Sequence, residues 1–254
     1  MFLFKKKKVI LDCFTYRPDV FSYFPIEKAS ASMPEWWKKM PATFLPDPIG
    51  LAEFSTMRSC AGFLGYYNNA ISLPLWTDTR IRTDEKEDTL HWHFSDLITE
   101  AFPHDFRQKG DYLSNPMSRY AHLKIVSPWI LNCKEDINFV FSGNTWALDN
   151  PEQIIIPPGV VSYRYQSVTN INMFIRMDNT QIASLSAGSS LVHIFPMTER
   201  EVEIKTHFVD EKDYKNMQNL GANNFTTKSY FKHRQIRKEH EKTGKCPVSG
   251  FFKT

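Results

Sequence analysis

The sequence predicts a mainly β protein, an antiparallel sandwich or barrel of the jelly-roll kind. Three observations carry that expectation. Between about residues 70 and 210, eight or more short apolar or alternating runs are separated by turn signals, a spacing of sandwiches and barrels rather than of alternating βαβ units. The 254-residue chain is 14% aromatic, with twenty phenylalanines, and ring side chains suit pleated, half-buried surfaces. Hydrophobic residues make up 42% and charged residues 23%, the balance of a soluble globular protein with a true core.

The pattern divides the chain into 1–55, a strand plus a proline-rich aromatic arm; 56–210, the β-sandwich or barrel domain; and 211–254, a helical basic tail. "VILDCFT" (9–15) reads as the first strand. Prolines then recur at 18, 25, 34, 41, 46 and 48, a density that stops regular strands and long helices. Within this extended arm, "PEWWKKM" suits one helical turn, with Pro34 in its first turn. Trp36 and Trp37 are too large to stay in water, so the arm is expected to dock on the body or on a partner subunit. Residues 51–63 predict a short helix ending at Gly62 or Gly65.

The strands follow from alternation. "AISLPLWTDTRIRT" places Ile71, Leu73 and Leu75 on one face. "TLHWHFSDL" places Leu90, Trp92 and Phe94 on one face and His91 and His93 on the other. "HLKIVSPWILNCK", "INFVFSG", "IIIPPGVVSYRYQS", "INMFIRM" and "QIASLSA" supply more strands. In "SSLVHIFP" both faces are apolar, which predicts a central strand covered on both sides; His193 lies within it as a buried, hydrogen-bonded histidine. After Pro196, Val202, Ile204, Thr206 and Phe208 are expected inward and Glu201, Glu203, Lys205 and His207 outward. The expected core includes Phe139, Phe141, Ile155, Phe174, Leu191, Ile194 and Phe195. "EKDYKNMQNL" and "KSYFKHRQIRKEHEKT" predict helices, the second basic and ended by Gly244 and Pro247.

The net charge is only +3, so any nucleic-acid contact would come through the basic tail. No apolar run approaches the ~20 residues that span a bilayer, and "MFLFKKKK" puts its charges after the apolar start, unlike a secretory signal; no membrane partner is expected. Cys13, Cys60, Cys133 and Cys246 are scattered without a CxxC, which argues against a paired-cysteine zinc site and for free thiols.

"HWHF" is the first chemical lead. On a strand, His91 and His93 point the same way, about 7 Å apart, and Asp96 or Glu100 could add a carboxylate to bind one divalent metal. Cupin-type sites use such a pair with a later histidine after a Pro-x-Gly turn. Here "PPG" (157–159) is such a turn, but Ser162 stands where that histidine would fall, and His193 would have to substitute. No His-x-Asp/Glu triad is present. Without the metal, no cofactor is expected. A second cluster lies between strands, His104, Asp105, Arg107, Gln108, Arg119 and His122, where the arginines could clamp a carboxylate or phosphate. Phosphate-cradling GxGxxG and GxxxxGK[ST] loops and the GxSxG elbow are absent.

Five segments in order, "MPEWWKKMP" (33–41), "TMRSCAGFLGYYNNAISLPLWTD" (56–78), "SPWILNC" (127–133), "IIIPPGVVSYRYQ" (154–166) and "AGSSLVHIFPMTERE" (187–201), resemble a family of proteins encoded by T4-like marine tailed phages. The resemblance covers about three quarters of the chain. It implies a β-rich fold, a phage source and a place in the host cytoplasm or the virion, but no reaction. The last two segments also resemble the dUTPase-like barrel, yet "NMFIRMDNTQ" lacks the Gly-(Ile/Val)-Asp catalytic strand. Two main functional expectations stand: a non-catalytic structural, assembly or binding protein that forms a homo-oligomer or joins other phage proteins, with Trp36, Trp37, His104, Arg107, Gln108 and Arg119 as binding residues; or a metal-dependent, oxygenase-like enzyme using His91, His93 and Asp96. A nucleotide-binding barrel using the Arg107/Arg119 loop is a third.

Overall fold

The computed structural model describes residues 7–44, 54–85, 89–96, 98–103, 117–144, 146 and 153–222, with side chains to residue 218. β1 (Val9–Thr15) alternates strictly between buried and half-buried residues and leads into α1 (Pro18–Tyr23), whose proline sits in the first turn. The arm continues through β2 (Glu27–Lys28), α2 (Glu35–Lys39) and β3 (Thr43–Phe44), and β3 pairs with β4 (Phe54–Ser55). A 3-10 turn, Met57–Ser59, precedes α3 (Ala61–Asn69). Then come β5 (Ile71–Pro74), β6 (Thr79–Asp84), β7 (Thr89–Phe94), β8 (Ala101–Pro103), β9 (Tyr120–Asn132) and β10 (Phe139–Gly143). β11 (Ile154–Ile155), β12 (Gly159–Val161), β13 (Val168–Arg176), β14 (Gln181–Leu185), β15 (Ser190–Pro196), β16 (Val202–Phe208) and α4 (Glu211–Ala222) complete the order.

The strands form open sheets; among the described residues none closes into a barrel. The first runs β11-β13-β9-β1-β16, with β8 also on β9; the second runs β12-β10-β15-β5-β2; the third runs β14-β6-β7. One apolar core joins all three, with Leu11, Ile125, Trp129 and Met173 from the first, Leu73, Phe139 and Ile194 from the second and Ile81 and Leu185 from the third. β1 lies between β9 and β16, antiparallel to one and parallel to the other. The first strand is therefore part of the body's own sheet, and the arm that follows it adds β2 to the edge of the second.

β15 sits between β10 and β5 and is apolar on both faces, as its sequence requires. Val192 and Ile194 enter the main core, while Phe195 packs on a second cluster around Ala29, Tyr67 and Ala70. The second sheet is thus covered on both sides, by the core and by the arm with α3.

Several expectations are corrected. The helix predicted over 51–63 lies at Ala61–Asn69, so Gly62 and Gly65 are inside it; Cys60 begins it and the chain turns extended at Ala70. Packing of its ring residues outweighs the cost of two helical glycines. "IIIPPGVV" is two strands in different sheets, split at Pro157 and Pro158, which have no N–H to give a ladder. Ile155 is exposed, because on edge strand β11 it is Ile154 that turns inward. Phe174 is half-buried: Ile171, Met173 and Ile175 take the inner face of β13, and the Phe174 ring stacks on His122 at 4.6 Å outside. Phe141 and Phe195 are half-buried as well. On edge strand β16 only Val202 is fully buried; Ile204 is half-buried, Thr206 and Phe208 are exposed, and His207 is half-buried against Asp12 at 2.8 Å.

The arm is tied to the body by a cation. Arg17, only 7% exposed, pairs with Asp19 and with Asp96 just beyond β7. Burial alone would raise the Asp96 carboxyl, but the Ile98 amide, the Arg17 guanidinium and the Thr99 hydroxyl donate to it and hold it below the usual carboxylate range. A carboxylate so depressed stabilises the fold above its unfolded pKa, and the contribution is lost as pH falls through the folded value. Asp96→Ala is therefore expected to cost about 3 kcal/mol near neutral pH. In urea titrations the deficit should shrink steadily as the pH is lowered into the acid range.

Candidate functional site

The aromatic layer over the second sheet holds an organised cleft. Trp37 on α2 is 2% exposed and Trp36 is 47% exposed. Both rings meet Trp146, each with centroids 5.2 Å away. Phe63, Tyr66 and Tyr67 stand at i, i+3 and i+4 of α3, one helix face. Phe63 lies 5.5 Å from Trp146, and Tyr67 stacks on it at 5.4 Å with planes 20° apart. Trp36 and Trp37 thus pack on rings of the same chain.

These rings enclose a cleft of about 500 Å³, within the size range of ligand sites. Exposed Cys60 and Gly62 line its outer side, and Gly143, Asn144 and buried His193 its inner side. Asn144 Oδ1 accepts from the Trp146 amide at 3.2 Å and so orients that residue. Gly143 is required, since a Cβ there would meet the Ile156 Cβ at 2.8 Å. Among the described residues, no charged side chain lines the cleft.

His193 is placed by a bulge. In a regular strand, residues three apart face opposite ways. Between Ser190 and Val192 the pairing of β15 with β5 shifts by one residue, which re-aims the side chain. Ser190 Oγ then lies 3.0 Å from His193 Nε2 and 2.7 Å from Ser72 Oγ, while Tyr66 Oη is 3.2 Å from Nδ1. Both ring nitrogens are satisfied. Burial lowers the imidazole pKa to about 4 and raises the Tyr67 phenol to about 12. The ring is neutral at ordinary pH and is a weak base with no free nitrogen, so it fits a fixed hydrogen-bonding post.

The other sequence-predicted residues lie elsewhere. His91 and His93 do share one exposed face of β7. Asp96 is engaged by Arg17 and accepts from the Thr99 hydroxyl at 3.0 Å. Ser162 is fully buried with no hydrogen-bond partner for its hydroxyl, and His193 is on another sheet. Among the described residues, no group of three or more His, Cys, Asp or Glu side chains is arranged to hold a metal ion. Arg119 sits over the Tyr120 ring at 5.6 Å, and His122 is a strand residue 3.0 Å from Asn172 Oδ1. His104, Asp105, Arg107 and Gln108, like the basic tail, lie outside the described residues. No helix among the described residues is long and apolar enough to cross a membrane. No protein-family model matches the chain, and no curated protein matches it in sequence.

Sequence reading missed Trp146, which stands outside the strands read from alternation, and the ring face of α3. The signal for the latter was present in the spacing of Phe63, Tyr66 and Tyr67.

Trp37→Ala is expected to cost about 3–5 kcal/mol, as for a buried tryptophan; Trp36→Ala should cost clearly less, and thermal melts of both variants check the order. A histidine with a lowered folded pKa leaves stability complete above its unfolded value, about 6.5. That stability is lost as pH falls towards the folded value of about 4. Replacing His193 by Asn should flatten this part of the stability–pH curve, measured as urea midpoints between about pH 7 and 4.

Proposed function

We propose that the chain is a non-catalytic binding or assembly protein that engages another polypeptide through the aromatic layer and its cleft. One observation carries this. Of the fourteen large hydrophobic side chains exposed among the described residues, six fall within residues 36–64: Trp36, Phe44, Phe54, Met57, Phe63 and Leu64. Exposed apolar surface concentrated beside a ring-lined cleft is the mark of an interaction site. Trp36 and Trp146 offer the rigid, two-torsion anchors on which binding energy concentrates.

The chemistry of the cleft supports binding over turnover. Among the described residues its polar groups are the Asn144 amide, the tyrosine hydroxyls, the Cys60 thiol and the His193 imidazole, with no carboxylate or cation. His193 has its nitrogens committed and little basicity, whereas a general base needs a pKa near the working pH. The preferred occupant is an uncharged ring or aliphatic side chain. The first partner to test is a second copy of the chain, with ring layer against ring layer. The open sheets around one core support a jelly-roll-like sandwich, an architecture that often presents binding surfaces. The resemblance to tailed-phage proteins points towards a virion or assembly component by the same route.

Phe63 and Leu64 are 36% and 40% exposed; because Phe63 also packs on Trp37 and Trp146, Phe63→Ser/Leu64→Ser is compared at a temperature at which its thermal melt shows it folded, with Leu64→Ser alone as the milder variant. Light scattering across a concentration series is expected to show an oligomer for the native chain and a smaller species for the variant. A native chain that stays monomeric at every concentration would remove self-association from the proposal. Equal masses for an oligomeric native chain and the variant would remove the aromatic layer as its interface.

A further inference from the structure

A second site lies on the outer face of the β14-β6-β7 sheet. The register sets Arg80 opposite His93 and Arg82 opposite His91, with Ser184 and Ile182 on the other flank. All six side chains are exposed. The inner face holds Ile81, Thr83, Ala183 and Leu185, all buried, so a one-residue slip that would invert the faces is forbidden.

The result is two rows of side chains across three strands. Rows repeat about 7 Å along the strands, and opposed Cβ atoms lie about 5 Å apart. A face selected only for stability would set carboxylates opposite arginines. Here each guanidinium stands opposite an imidazole. Asp84 reaches Arg82 at 3.4 Å at one end of the face, and exposed Glu85 follows it. Arg80, His91 and His93 have no hydrogen-bond or ion-pair partner among the described residues. A cation bound at the imidazoles would sit beside two guanidinium groups and be repelled. An anion would find N–H donors in both rows.

The six side chains are exposed in two rows, so the face suits an extended anion spanning both rows rather than a single small ion. We propose that it binds the phosphodiester backbone of a nucleic-acid strand. Arg80 and Arg82 each grip a phosphate through the planar guanidinium fork, and His91, His93 and Ser184 supply further contacts to sugar and phosphate oxygens. Trp92 points inward, opposite Ile81, so the face offers no ring for bases to stack on. Recognition is of the backbone and is independent of sequence.

The test uses the full chain and a fluorescein-labelled oligodeoxythymidylate of about 16 nucleotides, the upper end of common single-strand site sizes. Anisotropy at low salt should show binding. Arg80→Ser/Arg82→Ser should weaken it about tenfold and reduce the slope of log affinity against log salt by about 1.4, or about 0.7 per phosphate lost. Both side chains are exposed, and an unchanged melting temperature will confirm that the variant is folded. Absence of binding by the native chain overturns the proposal. So does equal affinity and slope in the variant, which would assign binding elsewhere, such as the basic segment 228–243. Inorganic polyphosphate that binds the native chain while the oligonucleotide does not would overturn it too.

Discussion

The rest of the structure depends on one strand that is apolar on both faces. β15 lies in the middle of its sheet, and Val192 and Ile194 fill the core on one side. Phe195 and His193 leave the other side with a ring and an imidazole that water would not favour. A sheet of this kind cannot remain half solvated. The proline-rich arm and α3 provide the second cover, at little entropic cost because the arm is already stiffened by its prolines. The aromatic cleft is the part of that layer which the rings do not close.

The same constraint fixes the character of the cleft. Covering β15 buries His193, and burial drives its imidazole neutral. The bulge then supplies Ser190 to Nε2 while Tyr66 meets Nδ1, so that no polar atom of the ring is orphaned. Trp146 closes against Trp37 and Tyr67 from a short segment oriented by Asn144. Every step uses neutral groups. A site built by covering an apolar face with rings presents shape and apolar surface rather than charge, and the proposed binding role rests on that.

Periodicity made most of the strands legible. "VILDCFT", "TLHWHF" and "SSLVHIFP" carry their facing in the sequence, because inward and outward residues differ in polarity. Ring size can mislead where alternation does not: Phe174 shares its face with Asn170, Asn172 and Arg176, which turns it outward, while Ile171, Met173 and Ile175 turn inward. The cleft was half legible. Trp36 and Trp37 announced docking by size alone, but their acceptor, Trp146, is more than a hundred residues away, beyond any local pattern. The "HWHF" pair was correctly placed on one strand face, yet its meaning depends on the neighbouring strand: alternation shows that two histidines point outward, and only the register shows that arginines stand opposite both.

The central claim is that the arm and α3 form the second cover that β15 requires, so that weakening this cover weakens the core that the three sheets share. Native-state hydrogen exchange in the Trp37→Ala variant tests it most directly. Amides of α2, α3, β10 and β15 are expected to lose most protection, and those of β1, β9 and β13, which share the core, to lose a smaller but measurable part. Loss confined to α2, with β15 and the core strands as protected as in the native chain, would mean that the arm merely rests on a sheet that is stable without it and would contradict the account.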